Sequence, residues 1–199
     1  GKVNSRYLTQ MALLTAIIIL MAFTPLGYLR TGVVEITFIM IPVVVGAILM
    51  GPGAGAILGG VFGLTSFIQC FGMSALGAML LQVNWFFTFV VCFVPRVLMG
   101  WLAGLIFKAL YKVDKTRLVS FAVASLSGAV LNTIFFVGSL GLLFYNTVLG
   151  MAAESGISVL AFLLSFVTLN SVLECAACLI VGTAISKALY KSFGSIKEQ

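Results

Sequence analysis

Arg96 is the residue whose type and setting carry the most chemistry. It stands in Val94-Pro95-Arg96-Val97, at the end of a run in which residues 36–95 hold no charge. At mid-bilayer an arginine costs roughly 2.5–3.5 kcal/mol and marks a functional site by default. Its planar fork suits a carboxylate or a phosphate. Ligand contact is the preferred reading over two others: a buried pair with Glu174, the one acid deep in an apolar helix, or a place near the outer interface from which the side chain snorkels to water. Glu174 closes Asn170-Ser171-Val172-Leu173-Glu174. Asn170 and Glu174 are four apart and share a helix face, which points either to a polar cavity or to a helix–helix hydrogen bond. Asn132, in Leu131-Asn132-Thr133, is a third polar group in an apolar setting. Thr65, Ser66, Gln69 and Asn84 fall near the outer ends of their helices. Together with Arg96 and Asn132 they fit one outward-opening pocket, with Phe67, Trp85, Phe71 and Tyr145 as apolar walls. Taken singly, each fits packing as well, and Trp and Tyr favour the membrane–water belt.

Other chemistry is absent from the pattern. Cys175-x-x-Cys178 has the spacing of a metal ligand pair, but no second pair follows and the chain has no His. These cysteines read as small apolar packing residues, and no metal or other cofactor is expected. No His-Glu-x-x-His, Gly-x-Ser-x-Gly or clustered Asp pair occurs, so no catalytic residues are assigned. There is no P-loop, which excludes ATP hydrolysis by that route.

The elements that must hold these residues are set by composition. Of 199 residues, 62% are hydrophobic and 8% charged, and mean hydropathy is +1.23. A soluble domain carries roughly 25% charged residues. Lipid is the solvent that tolerates so apolar a surface. Three long uncharged runs, residues 7–29, 36–95 and 118–153, are too many and too long for one signal peptide. The first residue is Gly1, so the native N-terminus is expected to be missing or altered. The net charge of +6 does not indicate nucleic acid, because the basic residues flank apolar runs instead of forming one patch with interleaved aromatics.

A spanning helix needs about 20 apolar residues. The pattern predicts an all-α membrane domain over residues 1–199 with six transmembrane helices, at about 5–23, 36–50, 54–67, 84–110, 118–145 and 157–190. Residues 24–35 read as a loop, 51–53 as a turn, 69–81 as a loop or broken helix, 111–117 as a charged connector and 146–156 as a loop. The last helix is longer than one span. With both termini cytoplasmic, Lys2, Arg6, Lys108, Lys112, Lys115, Arg117, Lys187, Lys191 and Lys197 all fall inside. That is nine of eleven basic residues on one side, as positive-inside topology requires. The halves show no internal repeat, which weighs against a symmetric secondary transporter.

Small residues recur at four-residue spacing: Ala12 and Ala16; Gly55, Gly59 and Gly63; Gly100 and Gly104. Such pairs let helix backbones approach closely. For the glycines, packing within the chain is the preferred reading.

These features together carry a family resemblance. Ala12-Leu13-Leu14-Thr15-Ala16 is similar to the Ala-x-x-x-Ala element of the substrate-binding S-components of energy-coupling factor (ECF) vitamin transporters. Residues 41–55, Ile-Pro-Val-Val-Val-Gly-Ala-Ile-Leu-Met-Gly-Pro-Gly-Ala-Gly, resemble that family's segment from helix 2 through the turn into helix 3. Phe62-Gly63-Leu64-Thr65-Ser66-Phe67, Val94-Pro95-Arg96-Val97-Leu98-Met99-Gly100, Leu131-Asn132-Thr133 and the segment ending at Glu174 look like the pantothenate-type branch. The resemblance implies a multi-pass protein of the bacterial plasma membrane that binds a small vitamin from outside, with Arg96 and Asn132 in contact with it. It also implies partners: a transmembrane coupling subunit, docked on Ala12 and Ala16, and two cytoplasmic ATPases that drive toppling of the S-component in the bilayer. Residues 69–81 are shorter and less polar than the resemblance implies. That leaves riboflavin, pyridoxine or hydroxymethylpyrimidine, and folate as alternative vitamins, and a stand-alone secondary transporter as the alternative class.

Overall fold

A computed structural model describes residues 5–26, 28–31, 34–165 and 169–194; at 28–31, 34–36, 169–170 and 191–194 it describes the backbone alone. Lys2 and Lys197 lie outside the described residues, as do the side chains of Arg30, Glu35, Asn170 and Lys191.

The chain is helical, with one small hairpin. Helix α1 is Ser5–Ala22. Strands β1 (Tyr28–Thr31) and β2 (Val34–Thr37) pair antiparallel, Tyr28 opposite Thr37 and Thr31 opposite Val34. The apolar pattern predicts a helix from residue 36. The β-branched residues Val34, Ile36 and Thr37 take strand geometry instead, and α2 starts only at Met40, running to Met50. Helix α3 is Pro52–Gln69. Between them Gly51 has φ +105°, a conformation glycine adopts without strain, and Pro52 opens α3 where its missing N–H costs nothing. The ambiguous stretch 69–81 resolves into a turn and α4, Ala75–Val83, with Ser74 as its N-cap. Helix α5 is Trp85–Tyr111 and α6 is Val119–Leu143.

Two expectations need correction after α6. Residues 146–156 are not a loop: α7 runs Tyr145–Glu154 and buries Val148 and Ala152 on one face. Residues 157–190 are not uniformly α-helical. Among the described residues they divide into α8 (Val159–Ser165), α9 (Leu169–Ala177), a π-helical turn (Cys178–Gly182) and α10, Thr183–Gly194. Helices α7 and α8 meet at 90°, with Gly156 at φ +70° in the bend.

By length and apolarity, four described helices suit a membrane crossing: α1, α5, α6 and Ser171–Tyr190; the bent pair α7–α8 makes a fifth if it counts as one span. Helix α2 is apolar but only 11 residues long and almost wholly buried. Its side chains join Ile18, Leu58, Phe62, Met99 and Phe121 in the main core. A second apolar cluster, around Leu80, Val91, Leu140, Phe144 and Val148, ties α4 and α7 to the adjoining ends of α5 and α6. At the opposite end Phe107, Tyr111, Phe121 and Tyr190 form an aromatic cluster. Asp114, in the connector beside it, accepts from the Ser120 N–H at 2.9 Å and from the Thr116 hydroxyl at 2.8 Å. The Ser120 backbone bond, with the Thr116 and Ser120 hydroxyl bonds, holds its carboxyl well below the usual carboxylate range.

The seam between α3 and α5 fixes the height of Arg96. A methyl group on Gly55 would strike the Gly100 backbone, and one on Gly63 would strike the backbone at Phe93. On Gly59 it would strike the Arg96 carbonyl itself. The two backbones therefore touch directly, as small residues at four-residue spacing allow. Gly59→Ala is expected to destabilise the protein by about 1–3 kcal/mol, since overpacking against backbone cannot relax cheaply. Gly138, which meets nothing within 4 Å, is the control. Thermal unfolding in detergent should show a lower midpoint for Gly59→Ala and none for Gly138→Ala; equal midpoints would refute the contact.

Candidate functional site

Six elements converge on a cavity of about 390 Å³. The end of α3 supplies Ser66, Gln69 and Cys70, and α4 covers it with Gly77 and Leu80. Helix α5 supplies Thr88, Cys92 and Arg96; α6 supplies Asn132, Thr133 and Phe136. Thr37, the last residue of the hairpin, and Ser171 and Glu174 of α9 complete the wall.

Pro95 explains the pose of Arg96. A proline inside a helix has no N–H for the carbonyl four residues earlier. That carbonyl belongs to Val91, and the Arg96 guanidinium fills the gap: Nη1 donates to Val91 O at 3.2 Å and to Cys92 O at 3.4 Å. The guanidinium lies between two rings, its Cζ 5.0 Å from the centroids of both Phe62 and Phe136. Phe62 belongs to the main core and Phe136 packs on the second cluster, so the cation sits where the two meet. Its Nε is buried without a hydrogen-bond partner among the described residues.

Asn132 carries the complementary vacancy. It is 5% exposed, lines the cavity, and its Oδ1 accepts from no group among the described residues. A buried acceptor left unpaired costs about 1–3 kcal/mol. Arg96 and Asn132 thus line one cavity, a cation and a neutral amide, each with one buried polar atom that the described residues leave unpaired. An occupant with an anionic or carbonyl acceptor and an O–H or N–H donor satisfies both.

Glu174 is not the ion-pair partner of Arg96 among the described residues. Its Oε1 accepts from the Thr37 N–H at 3.0 Å, joining α9 to the hairpin. Nearby, the Thr133 and Ser171 hydroxyls are 3.4 Å apart and link α6 to α9. Gln69 is buried, and its Nε2 donates to Ala22 O at 2.5 Å, joining the end of α3 to the end of α1.

The structure thus brings Arg96, Asn132, Ser66 and Glu174 together, with Gln69. It places other expected residues elsewhere. Thr65 is buried and donates to Phe62 O at 2.7 Å, outside the cavity. Phe67 packs edge-on against Phe71 and Phe89. Asn84 caps α5, its Oδ1 accepting from the Phe87 N–H at 3.1 Å. Trp85 is 67% exposed, as an interfacial anchor is. The Asn170 side chain lies outside the described residues. Residues not anticipated are Thr37, Thr88, Thr133, Phe136, Ser171 and the Cys70/Cys92 pair. Ala12 and Ala16 are exposed on α1, in line with exposed Leu8 and Leu20.

The family model for the ECF transporter substrate-specific component matches residues 6–186. This chain belongs to that family. The S-component is 29% identical to the pantothenate transporter PanT of Leuconostoc mesenteroides subsp. mesenteroides, over 94% of this chain and 93% of that one. It is also 29% identical to the pantothenic acid transporter PanT of Lactococcus lactis subsp. cremoris, over 80% of each. Its fold is similar to the crystal structure of an S-component for biotin from an ECF-type ABC transporter, with TM-score 0.64, 19% identity, and 96% and 95% of the two chains covered. The S-component is accordingly a multi-pass protein of the cell membrane, and a transport component, not an enzyme.

Proposed function

We propose that this S-component captures pantothenate from outside the cell and passes it inward by toppling on a coupling subunit driven by two cytoplasmic ATPases. The observation that carries the ligand assignment is the pair of unfilled groups in one cavity, Arg96 Nε and Asn132 Oδ1. Pantothenate has a carboxylate for the guanidinium, and hydroxyl and amide donors for the Asn132 oxygen. The two PanT relatives support the same vitamin. The cavity's hydroxyls suit a polar, flexible ligand, and Leu80, Val91 and Phe136 suit its methyl-bearing end.

In this reading the chain crosses the membrane six times, as α1, α2, α3, α5, α6 and α9–α10, with α2 too short to span unaided and buried by its neighbours. Both termini and the connector around Lys112 to Arg117 face the cytoplasm, on the strength of the nine basic residues there. The α3–α4 turn and the α6–α7 region then lie outside, over the cavity. Family membership favours this partner-dependent machine over a stand-alone secondary transporter.

Calorimetry on purified protein with pantothenate, riboflavin, pyridoxine and a folate tests the assignment. Pantothenate alone should bind tightly. Tight binding of an uncharged vitamin with no response to pantothenate would overturn it.

A further inference from the structure

Two thiols touch in the cavity wall. Cys70, at the C-terminal cap of α3, and Cys92, on α5, have sulfurs 3.7 Å apart. Neither is in a disulfide, both are buried, and both line the cavity. The sequence motif Cys175-x-x-Cys178 makes no such site: Cys178 belongs to the main core, and neither cysteine lines the cavity.

We propose that Cys70 and Cys92 form an oxidisable dithiol, which a small-molecule disulfide entering the cavity converts to an intramolecular disulfide, and that this form binds ligand poorly. The second half rests on the ligand reading above; the first does not.

The chemistry needs only that class of oxidant. One cysteine thiolate attacks the small disulfide, whose S–S bond breaks and releases one small thiol. The second cysteine thiolate then attacks the cysteine sulfur of the mixed disulfide and releases the other. Two cysteine thiols are oxidised, one small disulfide is reduced to two thiols, and both cysteine protons end on those thiols. The geometry favours the second step, because the two sulfurs are already 3.7 Å apart.

Bond formation brings the sulfurs from 3.7 Å to about 2.05 Å. Cys92 cannot yield much, because α5 is held against α3 backbone-to-backbone at Gly59 and Gly63. Cys70 can: it lies at a helix end, followed by Gly72 at φ +132°. Its movement is felt in the wall. Its neighbour Gln69 holds the end of α1 through Ala22 O, and Gly77 of α4 packs against Cys70 so closely that a methyl group there would strike its sulfur. Both Gln69 and Gly77 line the cavity, as does Cys92, one turn of α5 before Arg96. The disulfide therefore reshapes the cavity wall.

The test treats ligand-free purified protein with bis(2-hydroxyethyl) disulfide and maps disulfides by peptide mass spectrometry. A Cys70–Cys92 link should form, be lost in Cys70→Ser and Cys92→Ser, and persist in the Cys175→Ser, Cys178→Ser double variant. Pantothenate should slow its formation. Calorimetry should show affinity weakened about fivefold or more, restored by dithiothreitol. Failure of the link to form, or a link at Cys175–Cys178 instead, overturns the dithiol. A mapped Cys70–Cys92 link that leaves affinity unchanged overturns the effect on binding. If the reduced protein ignores pantothenate, the vitamin assignment fails while the mapped link still decides the dithiol.

Discussion

Arg96→Ala is expected to weaken pantothenate binding at least tenfold while the protein stays folded. The guanidinium lines the cavity between two aromatic faces, with its Nε unfilled. A carboxylate received there makes a charge-assisted hydrogen bond away from bulk water, about twice as strong as a neutral one. Truncating one partner of such a pair costs about 2–5 kcal/mol, and tenfold corresponds to about 1.4 kcal/mol. Among the described residues Arg96 donates its hydrogen bonds to carbonyls of its own helix, so truncation breaks no hydrogen bond between helices. Arg96→Lys should rescue in part, since an ammonium keeps the charge without the planar fork. Calorimetry gives the affinities and thermal unfolding the control. Unchanged affinity in Arg96→Ala would remove the carboxylate from this end of the cavity.

What the sequence discloses of the site depends on how each side chain can satisfy itself. Arg96, Asn132 and Glu174 are legible because a charge or amide in an apolar run has too many hydrogen-bonding groups to hide. Hydroxyls are different. Thr65 donates to Phe62 O three residues back and faces away from the cavity; Thr88 donates to Asn84 O four residues back and lines it. In sequence the two threonines look alike. Asn84 looks like a ligand group and is spent as a helix cap. Thr37 and the cysteine pair meet their partners across the chain, 137 and 22 residues away, and no local pattern reports such a meeting.

The fold was legible in the same measure. The ends of α1, α5 and α6 follow the charge and apolar pattern closely. Helix α7 does not, because residues 146–156 read as loop, whereas Val148, a member of the second cluster, and Ala152 are buried one turn apart on its inner face. The hairpin before α2 is likewise set by pairing between strands, which hydropathy cannot register.

Ala12→Trp and Ala16→Trp should each abolish most uptake while sparing ligand binding. Helix α1 has two faces. Met11, Ile18 and Ala22 point into the core, while Leu8, Ala12, Ala16 and Leu20, spaced by four, are exposed. An indole at position 12 or 16 therefore meets nothing inside the S-component, and thermal stability and pantothenate affinity should match the parent. Lipid accommodates it without cost. A docked helix does not, because small residues at this spacing matter only where another backbone approaches closely. With the coupling subunit and both ATPases reconstituted in vesicles, ATP-dependent uptake should fall about tenfold or more, the steric loss of at least 1.4 kcal/mol of docking energy. Ile134→Trp, at a position 56% exposed on α6, is the control for a bulky aromatic in lipid and should transport normally. Normal uptake in both α1 variants would remove this stripe as the docking face; loss of uptake in Ile134→Trp as well would move the contact to a wider surface. A fall confined to the α1 variants locates docking on the side of α1 away from the core, so that partner and ligand act on the S-component from separate faces.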